Sequence, residues 1–188
     1  MKIIRTDLLA PYIPKYEELD QWVKALRIMQ QKIVLTQGTW DMFHTGHIRY
    51  LEKAKKAGDI LIVAVDSDRM TKERKGPQRP FDSEDERIAV IRSLRSVDIV
   101  TFKDNNEDKL DTLRVVRPDV FVVSMSTGPE IQEDIEKFKE FAGEVLNLQP
   151  QSSTTTTAKF RRLQSDLLGE FEKDLLELIN KFKQKLEG

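Results

Sequence analysis

Lys32-Ile33-Val34-Leu35-Thr36-Gln37-Gly38-Thr39-Trp40-Asp41-Met42-Phe43-His44-Thr45-Gly46-His47-Ile48-Arg49-Tyr50-Leu51 decides how this chain folds. The β-branched run that ends in glycine predicts a buried strand, and residues 48 to 58, closed by Gly58, predict an amphipathic helix. The two histidines of the chain therefore sit where a strand hands over to a helix N-terminus. There, unpaired backbone N–H groups and the positive end of the helix dipole point outward together, a ready site for phosphate oxygens. Imidazoles three residues apart share one face of that site.

Working outward, the pattern keeps alternating. A strand at 32–38, a helix over about 45–57 and a strand at 60–65 lead into a charged loop at 66–80. The next helix starts at a cap, Asp82 or Ser83, and buries Ile88, Ile91 and Leu94. A short strand at 99–102, a helix at 106–117, a strand at 120–123, a helix around 130–142 and a strand at 144–148 follow. Before the first strand, Leu19, Trp22, Val23, Leu26 and Met29 follow helical spacing. Continuously apolar strands are buried on both faces, as in parallel sheets covered by helices. The expected fold is α/β, a Rossmann-like doubly wound parallel five-stranded sheet with added N- and C-terminal helices. Ligands of such sheets bind beyond the carboxyl ends of the strands, where the 38–46 turn lies.

Composition narrows the function classes. With 31 Lys plus Arg against 32 Asp plus Glu, nothing global favours nucleic acid or an acidic membrane surface, so any polyanion is bound locally. The absence of cysteine excludes disulfides and thiolate metal ligands. Met1-Lys2-Ile3-Ile4-Arg5-Thr6-Asp7 meets charge too early for a signal sequence, and no apolar run reaches membrane-span length, so a cytoplasmic protein is expected. There is no G-x-G-x-x-G and no Walker A sequence, against NAD binding or a P-loop motor. A zinc site at the histidines is disfavoured by the lack of H-E-x-x-H and of cysteine, so no protein-held metal is expected.

The tail differs in character. Phe160, Leu163, Leu167, Phe171, Leu175, Leu178, Phe182 and Leu186 recur in steps of three and four, which predicts a long amphipathic helix, with Gly169 marking where an interruption would fall. Such a stripe either packs on its own domain or pairs with a second copy, and its length favours a homodimer.

Histidines near a helix start are commonly caps or surface groups. Here the preceding strand, the close approach allowed by Gly38 and Gly46, Asp41 in the turn and the small Thr45 favour a phosphate site. The stretch G-T-W-D-M-F-H-T-G-H resembles the G-x-F-D-x-x-H-x-G-H signature of the cytidylyltransferase-like nucleotidyltransferases, Trp40 keeping an aromatic in place of phenylalanine. That resemblance implies that His44 and His47 hold the α-phosphate of a nucleoside triphosphate, with Gly38, Thr39, Trp40, Asp41 and Gly46 shaping the nucleotide turn. The cation-rich stretch 69–79 would by itself be a solvated loop. It is similar to the T-K-x-x-K-G-x-x-R-P of heptose 1-phosphate adenylyltransferases, after a V-x-S-D strand end. The match implies catalytic roles for Lys72 and Lys75, and nucleotide contacts for Asp68 and Arg79. Glu86-Arg87 reads as a surface pair, yet the resemblance places Arg87 near the phosphates. Ser152-Ser153-Thr154-Thr155 is a polar turn or cap in composition. By position it is similar to the family's I-S-T-T segment, which implies that Ser153, Thr154 and Thr155 bind the β- and γ-phosphates. Two departures stand out: Ser124-Met125-Ser126-Thr127-Gly128 lacks the G-D-D-W or K-G-G-D-Y of the relatives, and Leu148 falls where glycerol-phosphate enzymes carry arginine.

The resemblance spans residues 32–163 and divides the chain into an N-terminal helical extension (1–31), a nucleotidyltransferase domain (32–163) and a C-terminal amphipathic helix (164–188). It implies transfer of CMP or AMP from CTP or ATP, with Mg²⁺, to a phosphorylated sugar or polyol, releasing pyrophosphate. The alternatives are adenylyl transfer to another phosphate acceptor, such as flavin mononucleotide or phosphopantetheine, and a catalytically silent nucleotide-binding regulatory protein. Neither nucleic acid nor membrane is an expected partner.

Overall fold

The computed structural model describes residues 9–104, 110–124, 130–149 and 156–186. The chain divides into two compact units, 1–152 and 153–188. In the first, six parallel strands form one sheet in the order β1-β4-β3-β2-β5-β6, where β1 is Tyr12–Ile13, β2 Ile33–Gly38, β3 Ile60–Asp66, β4 Ile99–Lys103, β5 Val120–Ser124 and β6 Glu144–Leu148. The doubly wound α/β architecture is as expected, but the sheet has a sixth strand where five are read from the sequence. Two residues between Pro11 and Pro14 carry no periodic signal. They are recruited by tertiary contacts: Val100 N–H donates to Pro11 O at 2.9 Å and Thr101 Oγ1 to Ile13 O at 2.8 Å. The added strand covers an edge that β4 would otherwise expose.

Every residue of β3 is buried, which explains its unbroken apolar sequence. Leu61, Val63 and Val65 point into one layer, with Tyr50, Leu51 and Ala54 of α2 (Thr45–Lys55) and Ile88 and Ile91 of α4 (Glu84–Arg92). Ile60 and Ile62 point into the other, with Leu19, Val23 and Leu26 of α1 (Tyr16–Ile28), Leu113 and Val116 of α5 (Asp111–Val116), and Phe138 of α6 (Glu130–Lys139). The expected stripe on the first helix is thus too broad. Trp22 and Met29 are exposed, because a single sheet face covers only part of the helix circumference.

Gly58 closes the turn after α2 against the start of β2. A Cβ there would lie 2.7 Å from Lys32 O and 2.7 Å from Val34 Cγ2. Gly58→Ala is therefore expected to cost about 1–3 kcal/mol, read as a lower urea midpoint with an unchanged slope.

In the second unit α7 (Thr156–Leu186) is one continuous helix of 31 residues that runs through Gly169 without interruption. None of the helices among the described residues is long and apolar enough to cross a membrane.

Candidate active site

The winding of the sheet changes direction at β2, which has β3 on one side and β5 on the other. A crevice opens at such a switch, beyond the carboxyl ends of the strands. A buried polar knot joins its two walls. Thr36 Oγ1 reaches Val122 O at 2.9 Å, and Tyr50 Oη reaches the same carbonyl at 3.1 Å. Burial pushes the Tyr50 hydroxyl well above its ordinary pKa, so it stays protonated and serves to anchor α2 over the switch.

The turn that leaves β2 is strained and held from several sides. Trp40 and Met42 have φ of 60° and 47°, in the left-handed region that β-carbon-bearing residues disfavour. Trp40 Nε1 donates to Ala64 O at 3.1 Å, and Met42 N–H to Asp82 Oδ2 at 2.7 Å. The Asp41 carboxylate, buried between them, accepts Phe81 N–H at 2.9 Å, Asp82 N–H at 3.1 Å and Arg79 Nη1 at 2.8 Å. The indole packs over Gly38, where a Cβ would stand in ordinary contact, 3.4 Å from Trp40 Cε2.

His44 is the N-cap of α2. Its Nδ1 accepts Gly46 N–H at 3.0 Å, so in the neutral ring the proton sits on Nε2, which becomes a donor. The His47 ring stacks on it at 4.0 Å with the planes 18° apart, and takes the Trp40 and Phe43 rings at 5.6 and 5.1 Å. Two imidazoles thus share one face at the start of a helix, as the spacing predicts.

The stretch expected as a charged loop contains a helix, α3 (Asp68–Lys75), capped by Ser67 Oγ on Met70 N–H at 3.0 Å. Met70 and Thr71 are buried; Arg74 and Lys75, four residues on along the same side of α3, stay exposed over part of their surface but reach back to the turn. Arg74 Nη2 donates to Thr39 Oγ1 at 2.9 Å and to Asp66 Oδ2 at 2.6 Å, and Lys75 Nζ reaches Thr39 Oγ1 at 3.1 Å. Burial lowers the Lys75 pKa, with the neighbouring Arg74 charge adding to the effect and Asp66 and Asp41 opposing it. Lys72 lies on the exposed side of α3, away from this group. Arg74 and Asp66 are site residues that the sequence reading missed. The Met70/Arg74 and Thr71/Lys75 spacing was the available signal, hidden because the stretch has too few apolar residues to show a helical period.

Arg87 is not the surface partner of Glu86; it is 1% exposed. Its Nε donates to Asp82 O at 3.1 Å, its Nη1 to Thr39 O and to Asp66 O at 2.9 Å, and its Nη2 to Asp68 Oδ1 at 2.6 Å. It therefore acts as an internal clamp on the turn, and Asp68 is its counter-ion. Glu86 instead closes a capping box with Ser83, which settles the helix start. Arg79, bound to Asp41, also lies 4.2 Å above the exposed Phe81 ring. Gly46 is buried in the first turn of α2. Ser153, Thr154 and Thr155, and residues 125–128, lie outside the described residues.

The family model described as cytidylyltransferase-like matches residues 35–164. The bifunctional protein HldE of Klebsiella pneumoniae is 38% identical over 151 residues, covering 80% of this chain and 31% of that protein. The chain thus spans about a third of the length of the curated relatives it matches. Among solved structures, the lipopolysaccharide core biosynthesis protein from Thermoplasma volcanium aligns with a TM-score of 0.53 and 29% identity, over 63% of this chain and 96% of that one. Pantoate-beta-alanine ligase from Francisella tularensis aligns with a TM-score of 0.58 at 15% identity over 78% and 69%, a likeness of fold alone.

Proposed function

The chain belongs to the cytidylyltransferase-like family, and from that membership we propose that it moves a CMP or AMP group from CTP or ATP to a phosphorylated sugar or polyol. The stacked His44/His47 pair at the head of α2, beside the clamped 38–41 turn, carries this reading. An oxygen of the acceptor phosphate attacks the α-phosphorus in line, one P–O bond forms as the bond to the β-phosphate oxygen breaks, and pyrophosphate leaves with the electron pair. A phosphate dianion needs no base to attack, so the protein's work is positioning and charge stabilisation. His44 Nε2–H and His47 face the α-phosphoryl oxygens, the N–H groups at the head of α2 add a positive end, and Lys75 meets the charge that moves onto pyrophosphate. Lys72 can join only from the exposed side of α3, and Ser153, Thr154 and Thr155 are assigned to the β- and γ-phosphates by the family pattern alone.

Magnesium is proposed to arrive bound to the triphosphate. No group of three or more His, Cys, Asp or Glu side chains among the described residues is placed to cage a metal, and magnesium commonly needs only one or two carboxylates besides phosphate. The likeness to a lipopolysaccharide core biosynthesis protein favours a sugar phosphate over flavin or pantetheine acceptors. The test is pyrophosphate release from CTP, ATP, GTP and UTP against a panel of sugar, polyol and cofactor phosphates. Triphosphate binding without release in any pair would replace this reading by the silent nucleotide-binding one.

We further assign α7 to homodimer formation. Leu163, Leu167, Phe171 and Leu175 are exposed along one side of it, and a second copy presents the same stripe. A chain shortened to end at Leu163 is expected to run as a monomer in size-exclusion chromatography with light scattering, where the full chain runs as a dimer. A monomeric full chain, or a shortened chain that stays dimeric, overturns the assignment.

A further inference from the structure

Lys75 is held at the turn by more than its own helix. Its Nζ shares the Thr39 hydroxyl with Arg74 Nη2, at 3.1 and 2.9 Å. A threonine hydroxyl has one hydrogen and two lone pairs. With cations on both lone pairs the hydrogen is left for Asp66 Oδ2, 3.3 Å away, since a carboxylate can only accept. The same Oδ2 takes Arg74 Nη2 at 2.6 Å and closes a triangle. Two of its corners are built into the core: Asp66 ends β3, and Thr39 is buried with its carbonyl held by Arg87. The third, Arg74, is half-exposed and is the corner that chemistry can remove cleanly.

We infer that Arg74 and Asp66 are positioning residues for Lys75, holding its ammonium against the 38–41 turn through the Thr39 hydroxyl. The inference rests on the nucleotidyl-transfer reading only for its catalytic consequence. Four charged groups face the ammonium: Arg74 from α3, Asp66 from the end of β3, Asp41 from the turn, and Arg79 from the segment after α3. The arginines disfavour its charge and the aspartates favour it. The two positioning residues therefore share one hydrogen-bonded triangle yet act on Lys75 with opposite sign. Triphosphate brought to the turn adds negative charge and favours the ammonium, so binding and protonation are coupled.

The test is carbon-13 NMR of lysine Cε across a pH titration of the full chain, with Lys75 assigned by Lys75→Arg. Arg74→Gln is expected to move the Lys75 midpoint to higher pH, and Asp66→Asn to lower pH. Arg74→Lys keeps the charge and should stay near the parent. Beside this, calorimetry with inorganic tripolyphosphate should show roughly tenfold weaker binding for Arg74→Gln, the scale of one charge-assisted contact. Midpoints that stay put, or that move the same way in both variants, reduce Arg74–Asp66 to an ion pair that ties α3 to the sheet. If Asp66→Asn fails to fold, Arg74→Gln against Arg74→Lys decides alone: equal midpoints overturn the inference. Should the midpoints move as stated while the parent binds no tripolyphosphate, the positioning relation stands and the nucleotidyl-transfer reading falls.

Discussion

Alanine in place of His44 or of His47 is expected to lower kcat/KM by about a hundredfold or more in a folded protein, the usual scale for deleting a donor from a transition state. The two substitutions differ in their side effects. His47 stacks on its neighbour and touches Trp40 and Phe43, whereas His44 also caps α2 through Nδ1. Losing a cap costs about 1 kcal/mol, so His44→Ala mixes a stability loss with a chemical one. His44→Asn separates them, because asparagine caps a helix well but places no donor where Nε2 stands. Its urea midpoint should remain close to the parent while turnover falls as far as in His44→Ala. Pyrophosphate release under steady-state conditions, with the best nucleotide and acceptor from the substrate panel, provides the measurement. Near-parental turnover in any of the three, shown to be folded, removes the imidazoles from the mechanism.

Arg87→Ala is expected to destabilise the fold by about 3–5 kcal/mol, because it removes one buried charge that four acceptors share. Thr39 O, Asp66 O and Asp82 O lose a donor together, and Asp68 loses its counter-ion. Arg87→Lys should recover little of this, since one ammonium cannot span four acceptors placed around a planar guanidinium. The readout is equilibrium urea unfolding followed by circular dichroism. The resemblance alone put this arginine at the phosphates, which predicts the reverse outcome: unchanged stability with triphosphate binding lost. The two expectations are separated by one pair of experiments.

The parts of the site that the sequence disclosed are those made by neighbours in the chain. The strand, the turn and the head of α2 fall within twenty residues, so the apolar run, the glycines and the two histidines could be read together. The start of α4 was legible for the same reason to within one residue, Asp82 or Ser83, and the structure decides for Ser83 through its capping box with Glu86. The T-K-x-x-K-G-x-x-R-P resemblance singles out Lys72 and Lys75 and leaves Arg74 on an unspecified position. Reading 66–80 as a loop gives no helical face that would draw attention to Arg74. In the helix, Arg74 and Lys75 follow the buried Met70 and Thr71 by one turn and reach Thr39, whereas Lys72 is offset from that side.

By itself the sequence determined the βαβ alternation, the burial of the central strands β2 to β5 and the junction that carries both histidines. Those features depend on short-range periodicity and on backbone hydrogen bonding within a turn or two, which neighbouring residues specify directly. Only the tertiary structure decided that Tyr12–Ile13 pair with β4, that Arg87 turns inward, and that Arg74 and Lys75 meet Thr39. Arg87 finds two of its three carbonyl partners 21 and 48 residues away, and Arg74 and Lys75 find the Thr39 hydroxyl 35 and 36 residues away. A polar side chain that could equally face water or the core is placed by whichever acceptors the sheet gathers at its carboxyl edge, and those are assembled only when strands distant in sequence come to lie side by side.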